Sequence, residues 1–310
     1  MTELKGRPDT PLEVEEAPMD EAEGLVIVSR SFGRQTWDRF RRHKLAILAG
    51  VVLLIMTISF WAAPALSPYG FEEITPDFNQ GPSLEHPFGT DDIGRDLLVR
   101  TFKAGQFSLL IALLVAVLTT VLGAVVGAVS GYFGGAIDSF LSQVINLFLV
   151  VPSFIVLLVV AVKWGSNPTG IAVLLALLLW TSIARVVRGV VLQYKEQEFV
   201  LAARAAGAGS LRILWRHIIP NTFGPIIVNA TLLVGVAIIL ESTLSFLALG
   251  VRPPTPTLGN LVDAAKGDID SDPIRVLIPG GFVVLIALCI NFLGDGLRDA
   301  LDPTTRRVRE

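Results

Sequence analysis

Long apolar blocks separated by shorter polar segments form the main pattern of this 310-residue chain. A helix needs roughly 17–25 apolar residues to cross a bilayer, and each block is long enough. One such block could be a buried helix of a soluble protein, but six exceed the core that a domain of this size can form. The pattern therefore predicts an all-α membrane protein with six transmembrane helices. The predicted spans are residues 45–64, 107–130, 137–162, 170–187, 218–240 and 276–293.

Basic residues are distributed unevenly between the segments that connect these blocks. Of the 25 Lys and Arg residues, 18 lie in the leading segment 1–44, the stretch 184–219 and the tail 297–310. The other seven lie on the opposite side of the predicted membrane, mainly in segments 65–106 and 249–275. Cytoplasmic segments are enriched in Lys and Arg. Both termini are therefore predicted to be cytoplasmic, and segments 65–106 and 249–275 are predicted to be extracytoplasmic.

The segment before the first span divides into two parts. Residues 1–24 hold eight acids, two bases and three prolines, a composition that predicts a disordered acidic tail. Within residues 25–44, Phe32, Trp37 and Phe40 share one face of a helix, and arginines lie on the other face. This predicts a basic elbow helix at the headgroups of the lipid bilayer. The alternative is a solvated juxtamembrane run.

Composition narrows the possible functions. Charged residues make up 17% of the chain and the net charge is −3, which argues against a nucleic-acid-binding protein. The single cysteine, Cys289, excludes an intramolecular disulfide, and the three histidines are too far apart for a zinc motif. No GxxxxGKS or GxxxxGKT loop occurs, so the chain shows no nucleotide site of its own. We therefore expect no catalytic residue, no metal and no cofactor in this chain.

Glycines and prolines inside the spans indicate close packing or bends. Gly123, Gly127 and Gly131 recur every four residues in the second span, a spacing that lets a neighbouring helix approach closely. Prolines occur in the third span and at the start of the fifth, at Pro152, Pro220 and Pro225. They are either harmless kinks or marks of irregular helices that line a cavity.

Three polar residues in or next to the spans are candidates for a translocation pathway: Asn146, Asn229 and Glu241. Glu241 is the only acid near a span interior, and it lies ~30 Å along the fifth helix at 1.5 Å per residue. This depth places it near the outer interface. An ionisable residue in a span suggests a function, and structural capping or contact with water is the alternative.

The segment between the fourth and fifth predicted spans, residues 196–221, is rich in alanine and glycine. Its pattern predicts a short helix Glu198–Ala206 that ends at Gly207. Ser210 is then expected to be the N-cap of a second helix, Leu211–Ile219, which the following proline stops or bends. Small side chains allow another protein to approach the backbone closely, so this segment is a candidate partner-binding surface. An ordinary amphipathic loop is the alternative.

The same segment resembles the EAA loop of bacterial ABC-importer permeases. That pattern is Glu-Ala-Ala, three residues, Gly, and Ile-x-Leu-Pro after nine more. The matching positions are Ala202, Ala203, Gly207 and Pro220. The positions that differ from the pattern are Leu201, where it has Glu, His217, where it has Ile, and Ile219, where it has Leu. The missing glutamate removes one expected contact, although Glu198 lies one turn away.

Three further stretches resemble one branch of this family, the C-type subunit of oligopeptide and dipeptide permeases. They are HPFGTDDIGRDLLVR at 86–100, LSFLALGVRPPTPTLGNL at 244–261 and NFLGDGLRDALDP at 291–303. With the basic elbow, the resemblance extends over roughly residues 30–305.

The resemblance implies a type I ABC-importer permease fold in a bacterial inner or plasma membrane. The elbow helix would precede a first span at 45–64, an extracytoplasmic segment 65–106 and a permease core 107–296. The core would contain a cytoplasmic coupling loop 196–220 and an extracytoplasmic segment 249–275, followed by the tail 297–310.

The implied partners are a B-type permease subunit, two ATPase subunits that hold ATP and Mg²⁺, and an extracytoplasmic peptide-binding protein. The implied cargo is a dipeptide or oligopeptide, with nickel complexes, glutathione or another small solute as the alternative. A stand-alone secondary transporter or channel would need intramembrane ion ligands or repeat symmetry, which the sequence lacks. The residues expected to couple to an ATPase are Glu198, Leu201, Ala202, Ala203, Arg204, Gly207, Ala208 and Ser210.

Overall fold

The computed structural model describes residues 32–150, 153–164 and 167–301, and the regular structure in these ranges is helical. The predicted tail 1–24, Pro152 and residues 302–310 lie outside these ranges. In chain order the helices are α1 (Phe32–Phe40), α2 (Lys44–Leu66), α3 (Leu97–Phe133), α4 (Gly135–Val150), α5 (Ser153–Trp164), α6 (Pro168–Lys195), α7 (Glu198–Ala205), α8 (Ser210–Ile213), α9 (Ile219–Phe246), α10 (Leu258–Ala265) and α11 (Ile274–Leu301).

Five stretches are long and apolar enough to cross a membrane: α2, α3, α6, α11 and the continuous stretch from α8 through α9. This bears out the prediction of an all-α, multi-pass membrane protein. The third predicted span, 137–162, is not one straight helix. Its two halves, Gly135–Val150 and Ile155–Val162, are bent by 84° and together make a sixth span if they are counted as one.

The two ends of the bundle can be told apart by their contacts. At one end, here called the terminal end, the start of α2 meets the last turns of α11, where His43 Nε2 lies 3.8 Å from Asp299 Oδ2. At the other end, here called the loop end, Arg275 in the first turn of α11 donates to Asn79 Oδ1 at 2.8 Å. Residues 67–96 therefore lie at the loop end, opposite the elbow helix.

The pairing of α3 with α6 forms the centre of the bundle, and the three glycines of α3 explain it. A Cβ atom at Gly123 would lie 2.7 Å from the carbonyl oxygen of Trp180, and one at Gly131 would lie 2.8 Å from that of Arg188. A Cβ atom at Gly127 would overlap the carbonyl oxygen of Ala184. The predicted close approach of a neighbouring helix is confirmed. Successive glycines of α3 face successive residues of α6, since Gly123 faces Trp180 and Gly131 faces Arg188. The two helices therefore run parallel, and both end at the terminal end.

Helix α3 begins at Leu97, ten residues before the predicted span. Asp96 is its N-cap, because one carboxylate oxygen accepts from the Val99 amide at 2.8 Å. The other oxygen lies 2.8 Å from Nδ1 of the buried His86. Residues 97–106 therefore belong to the helix, and Asp96 connects the start of the helix to the segment at the loop end.

Candidate functional site

Helix α7 lies at the terminal end, just after α6, and its two ends are well defined. It ends as predicted at Gly207, whose φ of +81° favours glycine. The Gly207 amide donates to the Arg204 carbonyl and the Ala208 amide to the Ala203 carbonyl, both at 3.0 Å. These two bonds form a Schellman motif, which terminates the helix and fixes the direction of the turn that follows.

The second helix of this segment differs from the prediction at its start. Ser210 is not an N-cap: it is the first helical residue, and Gly209 is the cap, without a side-chain hydrogen bond. Of the two outcomes expected at Pro220, a stop or a bend, the stop is not found. The helix passes through a π-helical turn, Leu214–Ile218, and continues as α9. The wide turn stands directly before the proline, where the missing N–H interrupts the regular hydrogen bonds.

The candidate coupling residues divide into an exposed set and a set that packs inward. Val200 is fully buried and anchors α7, while Ala203 and Ala208 are half-buried against the core. The others are exposed: Glu198, Leu201, Ala202, Arg204, Gly207 and Ser210. The structure therefore brings the predicted residues together on one short projection with a rigid inner side.

The exposed surface of this projection is larger than the sequence suggested, and much of it is apolar. Leu201 is 46% exposed, Leu211 is 64% exposed and Trp215 is 59% exposed. Arg204, Arg212 and Arg216 are also exposed, and none has an acceptor among the residues that the structure describes. We define a candidate site, called the coupling surface, by eight exposed residues of this projection: Glu198, Leu201, Ala202, Arg204, Leu211, Arg212, Trp215 and Arg216. Leu211 and Trp215 are four residues apart, a spacing from which a shared helix face could have been inferred.

The three pathway candidates do not meet in one place. Asn146 is exposed on α4, where it shares a narrow stripe with the exposed Ser139 and Gln143. Asn229 is half-buried, and its amide donates to the Pro225 carbonyl of its own helix at 2.8 Å. Of the two, only Asn146 presents an unsatisfied polar side chain on the outside of the described chain.

Glu241 lies near the loop end of α9 and is fully buried. Its carboxylate accepts from the Ser245 hydroxyl at 2.8 Å and from the Ser108 hydroxyl at 3.0 Å. Ser108 in turn accepts from the Leu258 amide at 3.0 Å. Glu241 therefore connects α9, α3 and the first residue of α10 through one hydrogen-bonded network.

An ion pair connects three helices at the terminal end. Asp138 in the first turn of α4 receives two bonds from Arg188 of α6, at 2.6 and 2.7 Å. It also accepts from Ser130 of α3 at 2.5 Å. This two-pronged geometry is the strong form of an Arg–carboxylate pair. The sequence showed Asp138 only as a charge at the end of a block.

Comparison with known proteins identifies the family. A family model described as the binding-protein-dependent transport system inner membrane component matches residues 120–307. A second, the N-terminal transmembrane domain of oligopeptide transport permease C, matches residues 31–85.

Individual relatives extend over most of the chain. The oligopeptide transport system permease protein OppC of Mycobacterium tuberculosis H37Rv is 42% identical over 276 residues, which is 87% of this chain and 94% of that protein. The protein of the same name from Escherichia coli K12 is 38% identical over 292 residues, which is 92% of this chain and 95% of that protein. The helical bundle, the matched segments and this coverage agree, and the chain belongs to the family of binding-protein-dependent transport system inner membrane components.

Proposed function

We propose that this chain is one of two permease subunits in an ATP-driven importer of peptides. The relatives named above are oligopeptide permeases, which supports peptides as cargo. A B-type permease would complete the pathway, two ATPase subunits would supply energy with ATP and Mg²⁺, and an extracytoplasmic binding protein would deliver the peptide. This chain would not hydrolyse ATP itself.

The observation that carries this proposal is the coupling surface. Membrane-facing apolar residues can be covered by lipid, but α7 lies beyond the end of α6 and is joined to the bundle by a tight turn. A partner that covers Leu201, Leu211 and Trp215 removes apolar surface from water, which stabilises the contact by roughly 25 cal/mol per Å². The exposed arginines beside them, Arg204, Arg212 and Arg216, favour an acidic rim on that partner. An ATPase subunit with an apolar groove and acidic edges fits this surface.

The polar stripe of α4 supports a pathway shared between two permeases. Polar side chains in a membrane span usually face protein or a water-filled cavity, because exposure to lipid is costly. Ser139, Gln143 and Asn146 are exposed in this chain, so we place the second permease or the aqueous pathway on that face. Alternating access would then open this face first to one side of the membrane and then to the other.

The test uses the assembled importer with Leu201→Asp and Ala202→Asp variants. Both positions are exposed, so a charge there acts on the partner contact and not on the fold of this chain. Ala203 and Gly207 are poorer choices, because Ala203 is half-buried and Gly207 needs a positive φ. We expect both variants to reach the membrane, to lose retention of the ATPase subunits in detergent and to lose ATP-dependent peptide uptake.

A matched control is available at the loop end. Leu84 is fully exposed, so Leu84→Asp makes the same change of side chain far from the coupling surface. It should retain the ATPase subunits as the unmodified chain does. Normal ATP-dependent uptake by Leu201→Asp and Ala202→Asp would refute the coupling assignment.

A further inference from the structure

A small cavity of about 180 Å³ opens at the loop end, away from the coupling surface and from the α4 stripe. Its walls come from residues 88–101, from α10 and from the start of α11. The charged residues that line it are Asp91, Asp92, Arg95, Arg100, Asp268 and Arg275. The three arginines differ in how close a carboxylate of this chain lies to them.

Two of the arginines lie within 3.0 Å of a carboxylate oxygen of this chain, although Arg275 Nε also lacks a hydrogen-bond partner among the described residues. Arg275 donates to Asn79 Oδ1 and to the Thr90 carbonyl, each at 2.8 Å, and its Nε lies 3.0 Å from a carboxylate oxygen of Asp272. Arg95 donates to Asp91 Oδ2 at 2.7 Å. Their positive charges are therefore neutralised within the wall of the cavity.

Arg100 is the exception. Its side chain is only 7% exposed, yet among the residues that the structure describes it makes one hydrogen bond, from Nη1 to the Phe71 carbonyl at 3.2 Å. Its Nε is buried without a hydrogen-bond partner. The nearest carboxylate oxygen, on Asp91, is 3.7 Å away, which is beyond hydrogen-bonding distance. A guanidinium has five N–H donors, so most of its bonding capacity is unused.

Asp91 is held in place by three hydrogen bonds that do not involve Arg100. One of its oxygens accepts from the Ile93 and Arg95 amides, at 3.1 and 2.8 Å, and the other accepts from the Arg95 side chain. A buried cation with unfilled donors is costly, and a planar acceptor that reaches two of them at once removes much of that cost. Arg100 lines the cavity.

We propose that this cavity binds a small carboxylate, held by the Arg100 guanidinium. Sites for drug-sized ligands measure roughly 300–1,000 Å³, so this one accepts a carboxyl group with a few attached atoms and not a whole peptide. The lining acids do not prevent this. Asp91 is engaged with Arg95, Asp268 lies 3.4 Å from Arg275 Nη1, and Asp92 is exposed, where water and salt screen its charge.

The test measures acetate binding to the full chain, assembled with its partner subunits in detergent, without nucleotide. We expect saturable binding of acetate in the millimolar range. Chloride should not bind in this way, because a single spherical ion cannot accept two parallel hydrogen bonds as a carboxylate does. Arg100→Gln should weaken acetate binding at least tenfold. Ala264→Leu, which fills the cavity from a lining position and keeps Arg100, should do the same.

Arg252→Gln is the matched control, because Arg252 is an exposed arginine of the same end that does not line the cavity. It should leave acetate binding unchanged. The proposal is overturned if the unmodified chain shows no saturable binding, or if Ala264→Leu, with an unchanged unfolding midpoint, binds acetate normally. Because no ATP is used, either result leaves the proposed contact of α7 with an ATPase untouched.

Discussion

Replacing Gly127 by alanine tests the packing of α3 against α6 at its tightest point. The added Cβ atom would overlap the carbonyl oxygen of Ala184 and would lie 3.0 Å from the Arg188 amide nitrogen and from Val187 Cβ. Two of these three atoms belong to the backbone, so no rotation of a side chain relieves the overlap. The helices must separate by about 1 Å, since attractive contacts of carbon atoms begin near 3.5 Å.

The cost of this separation can be estimated. Overpacking of a well-packed core costs about 1–3 kcal/mol. Alanine also improves the helix propensity, which offsets at most about 1 kcal/mol. Unfolding in mixed micelles of detergent and SDS measures the resulting change in the free energy of unfolding. We expect Gly127→Ala to be destabilised the most of the three stripe glycines.

Gly189 provides the matched control, because it lies on the same helix pair, in α6, with nothing within 4 Å of an added Cβ atom. Gly189→Ala should be neutral or slightly stabilised, so the two variants should differ by about 1–3 kcal/mol. Equal stability of Gly127→Ala and Gly189→Ala would contradict the close packing described here.

Three further outcomes follow from the polar contacts. Glu241→Leu should cost roughly 2–4 kcal/mol of unfolding free energy, because it leaves buried hydroxyls without an acceptor, whereas Glu241→Gln should cost less; equal effects in the same SDS titration would refute the network. A double-mutant cycle with Asp138→Asn and Arg188→Gln should give a coupling energy of about 1–2 kcal/mol, and a value near zero would show that the pair is not formed. The hydrogen bond to Glu85 raises the pKa of Tyr69, so Glu85→Gln should lower it in an alkaline absorbance titration. The raised pKa belongs to the folded state, so this hydrogen bond stabilises the fold at pH values below the ordinary tyrosine pKa of about 10. Its contribution to stability is lost as the pH rises through the raised pKa of Tyr69. An unchanged titration in Glu85→Gln would rule it out.

Much of the fold could be predicted because its signals are local. The length and apolarity of α2, α6 and α11 are properties of single segments. The stripe of Gly123, Gly127 and Gly131 lies on one helix face whatever it packs against. The end of α7 at Gly207 also depends only on neighbouring residues, because glycine alone adopts the left-handed conformation without strain.

Other features depend on contacts that the sequence does not display. The burial of Glu241 requires Ser108, which is 133 residues away. The early start of α3 depends partly on Asp96 as an N-cap, a signal that could have been used, and partly on its contact with His86. The bend between α4 and α5 falls within a continuous apolar block, where hydropathy is the same for a straight and a broken helix.

The sequence also could not show how Arg100 differs from Arg275, since both are basic residues of a polar segment. The difference arises only from which acceptors surround them in three dimensions. Similarly, Ser210 and Gly209 are both acceptable N-caps, and the structure selects Gly209.

The unbroken helical path from Ser210 to Phe246 has a mechanical consequence. Its 37 residues extend over about 55 Å at 1.5 Å per residue, from the coupling surface to the loop end. Such a path acts as a lever arm: a tilt of about 5° at one end moves the other by roughly 5 Å at this length. Glu241 fastens the far end of this helix to α3 and α10, and the π-helical turn Leu214–Ile218 lies at its near end. A displacement of Leu211 or Trp215 would therefore be transmitted to the opposite membrane surface through continuous helix, with no loop in between.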